Sequence, residues 1–198
     1  LAGCFSFYPT KVMTSGTGGM ITTNDPELAA WAKSLRHHGQ TDKTLDVLER
    51  FGNDWLMSEF HAVVGYWQLQ YLGTALEHRR KLAALYRLAL VRCAGVEAIE
   101  VPIEATPSYY KYLILLDATV NRDWLLRRLN NLHEIEVGAL YWPPLHRQPV
   151  IQRHYAIPFC PNADAALSRQ LALPMHQSMT EEDVERICAA LREGLSCV

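Results

Sequence analysis

Lys11 follows a short apolar and aromatic run, Phe5-Ser6-Phe7-Tyr8, and the turn residue Pro9. The run at 1–7 reads as a strand, and Pro9, which has no N–H to give to a ladder, ends it. That sets Lys11 on a loop just past a strand end. Gly16, Gly18 and Gly19 allow a tight backbone turn. Met20-Ile21-Thr22-Thr23 reads as the next strand, so the chain doubles back as a hairpin. A lysine held on such a turn can be kept neutral by desolvation or by neighbouring cations, and a neutral amine condenses with an aldehyde to an imine. Ser6 adds a hydroxyl suited to an anionic group. Taken alone, a lysine after a strand is more simply a solvated surface residue, and Phe5 and Phe7 read as core.

The elements around this loop are marked by their caps. Asn24-Asp25-Pro26-Glu27 is a helix start, with an Asn or Asp cap, Pro in the first turn and an acid near the positive helix end. Leu28, Trp31, Ala32 and Leu35 follow at helical spacing, and Arg36-His37-His38-Gly39 ends the helix. The His pair could suggest a metal, but neighbouring histidines on a helix diverge and no acid or cysteine completes a set. Residues 40–50 are polar and read as an exposed loop. Ser58 caps a helix carrying Phe60, Ala62, Val63, Val64, Tyr66, Trp67, Leu69 and Leu72. Its apolar residues surround it, which predicts burial against more than one partner. Gly73 predicts a break, followed by a second helix over about 75–94, with Glu77, Arg79, Arg80 and Lys81 on its solvated side and Gly95 at its end.

The remainder changes character. Residues 96–101 and 109–116 read as strands, Asn121 caps a helix with Trp124, Leu125, Leu126, Leu129 and Leu132, and 135–141 reads as a further strand. Strand, strand, helix, strand is the order of a small α+β domain. Trp142-Pro143-Pro144-Leu145-His146 forms a rigid loop, 163–171 a short helix, and 171–176 a short strand closed by Pro174. Thr180 and Asp183 have the spacing of a capping box ahead of a last helix with Val184, Ile187, Leu191 and Leu195 on its core face.

Several of these stretches carry a resemblance. Phe5-Ser6-Phe7-x-x-x-Lys11 with Gly16-x-Gly18-Gly19-Met20 resembles the aminotransferases of the DegT type (DegT/DnrJ/StrS), enzymes of fold type I that use pyridoxal 5′-phosphate (PLP). Leu35-Arg36-x-His38-Gly39, Pro143-Pro144-Leu145-His146 and Leu173-Pro174-Met175-His176 with Thr180-Glu181-Glu182-Asp183-Val184 are similar to the same family in the same order. The likeness covers essentially the whole chain and corresponds to the C-terminal half of a family member. It implies an α/β PLP-transferase: part of the large PLP-binding domain at 1–72, then a small α+β C-terminal domain at 73–198. It implies that Lys11 bonds to PLP and that Ser6 contacts the phosphate. Gly52 to Glu59 is similar to the family's Gly-x-Asn-x-Arg-Met-x-Glu loop, which reaches the neighbouring subunit's cofactor or substrate. Here Asp54 stands for the Asn and Leu56 for the Arg, and Thr17 stands where the family has Glu. Asp54 is thus a cofactor-side candidate that adds a negative charge, and Tyr141 and His146 are substrate-contact candidates.

The resemblance further implies amino transfer, with glutamate as donor, to a nucleotide-linked keto sugar by a homodimer. Family members lacking the lysine act as dehydratases, which Lys11 argues against. The other half of the family's length supplies the acid that pairs with the PLP ring nitrogen, a stacking aromatic residue and the main phosphate loop. A chain of this extent is therefore expected not to transaminate by itself. The rival reading is a truncated or non-catalytic member acting as a structural or interface subunit, which Asp54 and Leu56 favour. A sugar-nucleotide binding module without PLP lacks a phosphate site, since Gly16-Thr17-Gly18-Gly19 does not have P-loop spacing.

Composition agrees with an ordinary globular protein. The 198 residues are 49% hydrophobic and 20% charged, enough to bury a sizeable core. A formal charge of −2 offers no basic field for nucleic acid, and no apolar run is long enough for a membrane span. Five cysteines, at 4, 93, 160, 188 and 197, are scattered without C-x-x-C, which suits free thiols in a cytoplasm rather than a disulfide framework. The opening at Leu1, without Met or a signal-peptide pattern, reads as a piece of a longer chain.

Overall fold

The computed structural model describes residues 1–42 and 47–197, which fall into two compact units, Leu1–Ala75 and Leu76–Val198. The first opens on the expected hairpin. Strand β1 (Ala2–Ser6) pairs antiparallel with β2 (Gly19–Thr23), from Ala2 opposite Thr23 to Ser6 opposite Gly19. Helix α1 (Pro26–Leu35) follows directly. The Asp25 carboxylate accepts from the amides of Glu27 at 2.9 Å and Leu28 at 3.1 Å, filling the orphan donors of the first turn. Beyond its C-cap Arg36 the chain turns left-handed at His38 and Gly39, with φ of 57° and 88°. The polar loop expected over 40–50 lies partly outside the described residues; a bridge joins Gln40 to Leu48.

Helix α2 (Glu59–Leu90) corrects two expectations. It runs 32 residues through Gly73 without a break. A glycine in a helix costs only about 1 kcal/mol relative to alanine, and no Pro or cap supports a stop there. It also leaves Phe60, Val63, Val64, Tyr66, Trp67, Leu69 and Tyr71 exposed rather than buried on several sides. Among the described residues of the first unit, a two-stranded sheet and one short helix cannot surround a helix of this girth.

In the second unit β3 (Val96–Ala98), β4 (Tyr112–Leu116) and β5 (Gln170–Leu173) form an antiparallel sheet in the order β3-β4-β5. The first two are shorter than the patterns at 96–101 and 109–116, and Tyr109 has a left-handed φ of 46° just ahead of β4. Helices α3 (Arg122–Leu132) and α6 (Glu181–Leu195) contribute to the core beside residues of α2 from Leu82 to Leu90. Ile114, Leu116, Leu125, Leu129, Leu171 and Leu191 are wholly buried there. Asn121 caps α3, and Thr180 and Asp183 form the reciprocal box that opens α6. A single 3₁₀ turn (Leu145–Arg147) and helices α4 (Pro149–His154) and α5 (Pro161–Arg169) make the connection to β5.

Two further expectations are corrected here. Residues 135–141 are not a strand: only Gly138 bridges to Ala172. Side chains satisfy the neighbouring backbone instead. Asn130 accepts from the Val137 amide at 2.8 Å, and Gln170 accepts from the Leu140 amide at 3.1 Å while donating to the Leu140 carbonyl. Arg79, expected on the solvated face, is 6% exposed. Its Nη1 donates to the carbonyls of Tyr109 at 3.0 Å, Tyr110 at 3.4 Å and Met175 at 2.9 Å. The carbonyls at the left-handed turn before β4 need a buried donor, and a guanidinium can serve several at once.

Because Leu171 is wholly buried and Leu88 is exposed, Leu171→Ala is expected to lower stability by about 2–5 kcal/mol and Leu88→Ala to change it by less than about 0.5 kcal/mol. Urea unfolding followed by circular dichroism measures both.

Candidate functional site

The loop that carries Lys11 is closed at its neck. Phe7, buried just past β1, donates from its amide to the Gly18 carbonyl at 3.0 Å. Its carbonyl accepts from the Ser15 amide at 3.1 Å and the Thr14 hydroxyl at 3.0 Å. Thr14 Oγ1 also accepts from the Gly16 amide at 2.9 Å, and Ser15, 1% exposed, donates its hydroxyl to the Thr17 carbonyl. Gly16 and Gly18 take φ of 84° and 117°, which a side chain would strain. The result is a compact loop with joined ends, positioned by a hairpin. Within it the Lys11 amide donates to the Tyr8 carbonyl at 2.9 Å, so the backbone under the lysine is itself a turn. The Lys11 residue is half-buried.

Ser6 is the last residue of β1, exposed, and its Oγ accepts from the Tyr8 amide at 3.4 Å. That leaves its hydroxyl proton to be donated elsewhere. Strand end and loop thus bring Ser6 and Lys11 to the same end of the hairpin. An amine on a fixed backbone with a hydroxyl nearby fits a ligand that has both an aldehyde and an anionic group. Thr14 and Ser15 escaped the sequence reading, although two hydroxyls immediately before Gly16 were the available signal.

Asp54 belongs to a different loop of the same unit. That loop hangs on the C-terminal end of α1: the Asn53 amide donates to the Leu35 carbonyl at 2.9 Å, the Trp55 amide to the Arg36 carbonyl at 2.9 Å, and the His38 amide to the Asn53 carbonyl at 3.1 Å. The Asp54 carboxylate is exposed and accepts a long hydrogen bond, 3.5 Å, from the Leu56 amide. A carboxylate here offers no donor to a phosphate, so Asp54 does not fit the role of an anion contact.

Tyr141 and His146 lie in the second unit. Tyr141 is 74% exposed with a left-handed φ of 55°. Next to it, Arg122 stacks over the Trp142 ring at 4.1 Å. His146 sits in the 3₁₀ turn, where its Nε2 and Asp164 Oδ1 are 2.9 Å apart. Arg147 clamps the same carboxylate with two bonds, Nε to Oδ1 at 2.8 Å and Nη2 to Oδ2 at 2.7 Å. One nitrogen of His146 is therefore committed to a hydrogen bond within the fold. The cluster lines an open cavity of about 300 Å³ together with Gln152, Phe159 and Cys160. Asp164 was not singled out from the sequence; its signal was an acid in the first turn of α5. Among the described residues no group of three His, Cys, Asp or Glu is placed to hold a metal ion, and no helix is long and apolar enough to cross a membrane.

The Asp164 carboxyl falls from an ordinary 3.8 to about 2, chiefly because Arg147 hydrogen-bonds it, with His146 adding to the effect. A carboxyl whose folded pKa is depressed stabilises the fold fully above its unfolded value and loses that contribution as pH falls toward the folded one. Wild type is therefore expected to lose more thermal stability than Asp164→Asn between about pH 4 and pH 2, with no pH-dependent difference between them above about pH 5. Melting curves at constant ionic strength check this.

Residues 1–192 match the family model described as the DegT/DnrJ/EryC1/StrS aminotransferase family. The chain is 33% identical over 196 residues to the UDP-N-acetyl-3-dehydro-alpha-D-glucosamine 3-aminotransferase of Acidithiobacillus ferrooxidans, covering 98% of the chain and 50% of that protein. It is 31% identical over 194 residues to the GDP-perosamine synthase of Caulobacter vibrioides, covering 96% of the chain and 52% of that protein. Among solved structures, the aminotransferase TlmJ from Streptoalloteichus hindustanus superposes with a TM-score of 0.87 at 30% identity, over 99% of this chain and 52% of that one. The chain spans about half the length of the curated relatives it matches.

Proposed function

The chain belongs to the DegT/DnrJ/EryC1/StrS aminotransferase family, whose members are PLP-dependent enzymes of fold type I, and on that premise we propose that it is the lysine-bearing part of an aminotransferase acting on a nucleotide-linked keto sugar. The observation that carries this reading is Lys11 on the closed loop from Phe7 to Gly18. PLP, when bound, supplies the aldehyde that accepts the amino group and a ring system that takes up electron density from the amino-bearing carbon. Lys11 Nζ holds the cofactor in the resting protein. Once released, the same nitrogen would take the proton from the substrate carbon and deliver it to the carbon that was the cofactor's aldehyde, so that one side chain would serve first as base and then as acid. Ser6 Oγ donates to the cofactor phosphate. Tyr141 and His146 are carried in this proposal as substrate-contact residues, and His146 is hydrogen-bonded to Asp164. Glutamate is the amino donor in this proposal, and the names of the relatives, which refer to UDP- and GDP-linked sugars, support a nucleotide sugar as acceptor.

Half of the family's length is 1–198 of this chain, and the working unit we propose is a homodimer in which these residues function with the remaining half. The exposed apolar side chains of α2 support such an assembly. The exposed Asp54 carboxylate and the apolar Leu56 favour the second reading, a family member that keeps the fold without turnover, because neither offers a donor to an anion on a neighbouring subunit.

The test uses the protein carrying this chain, with PLP, glutamate and a panel of nucleotide-linked keto sugars, following 2-oxoglutarate. Wild type is expected to show visible absorbance and turnover; Lys11→Ala is expected to lose the absorbance and at least about a hundredfold in rate. The 198 residues alone are expected to give no turnover. Absorbance that survives Lys11→Ala removes the assignment, and a wild type that binds PLP at Lys11 without turnover establishes the second reading.

A further inference from the structure

We infer that His61 is a positioning residue for the lysine-bearing loop, acting through a seam between one stripe of α2 and the loop's return limb; this rests on Lys11 being the reactive amine proposed above. His61 and Gly65 are spaced by four and share one face of the first turns of α2, and Met57 lies on the segment just ahead of the helix. Each meets the return limb in turn. A Cβ placed on Gly18 would lie 2.6 Å from Met57 Cε, and one on Gly16 would lie 3.3 Å from His61 Cδ2 and 3.6 Å from its Nε2. At Gly65, a Cβ would lie 3.4 Å from Ser15 Cβ. Bare backbone therefore faces a neighbour at all three steps, and the limb holding the loop's neck lies flush on the helix.

His61 is the polar member of this stripe, and its ring is held at both ends. Its Nδ1 lies 2.6 Å from the Ser58 hydroxyl, and the same oxygen accepts from the His61 amide at 3.4 Å. Ser58 thus joins the ring and the backbone of His61 through one hydroxyl, which can donate to or accept from Nδ1 according to the tautomer. The far edge of the ring rests on Gly16, which lies between Ser15 and Thr17. Ser15 is the residue whose amide closes the neck on Phe7 and whose hydroxyl reaches the Thr17 carbonyl. Displacing the ring frees Gly16, loosens Ser15 from Phe7 and broadens the poses open to Lys11. Bond formation between an amine and an aldehyde depends steeply on that pose. His61 touches none of the reacting atoms; it acts through the backbone beneath them.

The experiment compares wild type, His61→Ala, His61→Gln and Ser58→Ala in the protein carrying this chain. The first readout is hydrogen–deuterium exchange of residues 7–18 in the cofactor-free protein. The second is the rate at which Lys11-dependent visible absorbance grows after PLP is added. His61→Ala is expected to accelerate exchange across 7–18 and to slow that rate by between about ten- and a hundredfold, with exchange in the second unit unchanged. His61→Gln, which keeps a polar side chain able to meet Ser58 and fill the space beside Gly16, is expected to recover most of both, and Ser58→Ala to shift both in the same direction by less. Should His61→Ala fail to fold, Ser58→Ala carries the decision. Wild-type values for both readouts in His61→Ala, or an equal rise of exchange in both units, would overturn the inference. A wild type without Lys11-dependent absorbance refutes the aminotransferase reading instead, while the exchange data still report on the seam.

Discussion

The first unit depends on the backbone of a single residue, Phe7. Phe7 gives its N–H to Gly18 and receives both the Ser15 amide and the Thr14 hydroxyl on its carbonyl. Those three bonds convert a strand end and a strand start into one closed loop, and everything proposed for Lys11 follows from that closure. Loop-borne chemistry needs a rigid scaffold underneath it. Here the scaffold is small: two paired strands, one short helix, Met57 and the face of α2 that carries His61 and Gly65. The buried Phe7 ring anchors the neck from the inside, and the hydroxyls of Thr14 and Ser15 satisfy it from within the loop.

The second unit obtains its order differently. Its core is continuous and apolar, and its polar groups are placed where backbone is left without a ladder. Arg79 serves three carbonyls, Tyr86 gives its hydroxyl to the Pro174 carbonyl at 2.9 Å, and Asn130 and Gln170 hold the segment around Gly138. Buried polar groups cost stability unless they are paired, and Arg79 Nη1, the Tyr86 hydroxyl and the Asn130 and Gln170 amides are paired in this way. The His146–Asp164–Arg147 cluster follows the same logic at the surface, joining the 3₁₀ turn to α5.

Where a signal was local, it was legible. Asp25, Asn121 and the Thr180–Asp183 pair cap the helices as their types and spacing imply, and the alternation of short apolar runs with glycines gave the hairpin that carries Lys11. The motifs around Lys11 and His38, and those ending at Asp183, also identified the family. Where the deciding partner was distant in sequence, the reading failed. Nothing local distinguishes Arg79 from Arg80, because what buries the former is a set of carbonyls 30 to 96 residues away. The apolar alternation at 135–141 resembled a strand, yet side-chain amides took over its backbone bonds. Gly73 looked like a stop because glycine is a weak helix former, but helix propensity is a small term beside the continuity of a long helix. His61 gave no signal at all, since its meaning depends on Gly16 lying across from it.

The central claim is that one lysine, made distinct by its loop, forms the bond to the cofactor. Borohydride reduction of the PLP-treated protein, followed by proteolysis and mass mapping, tests it most directly. The account predicts the label on the peptide containing Lys11 and none on those containing Lys33, Lys81 or Lys111. A label on another lysine, or one spread across several, would contradict it.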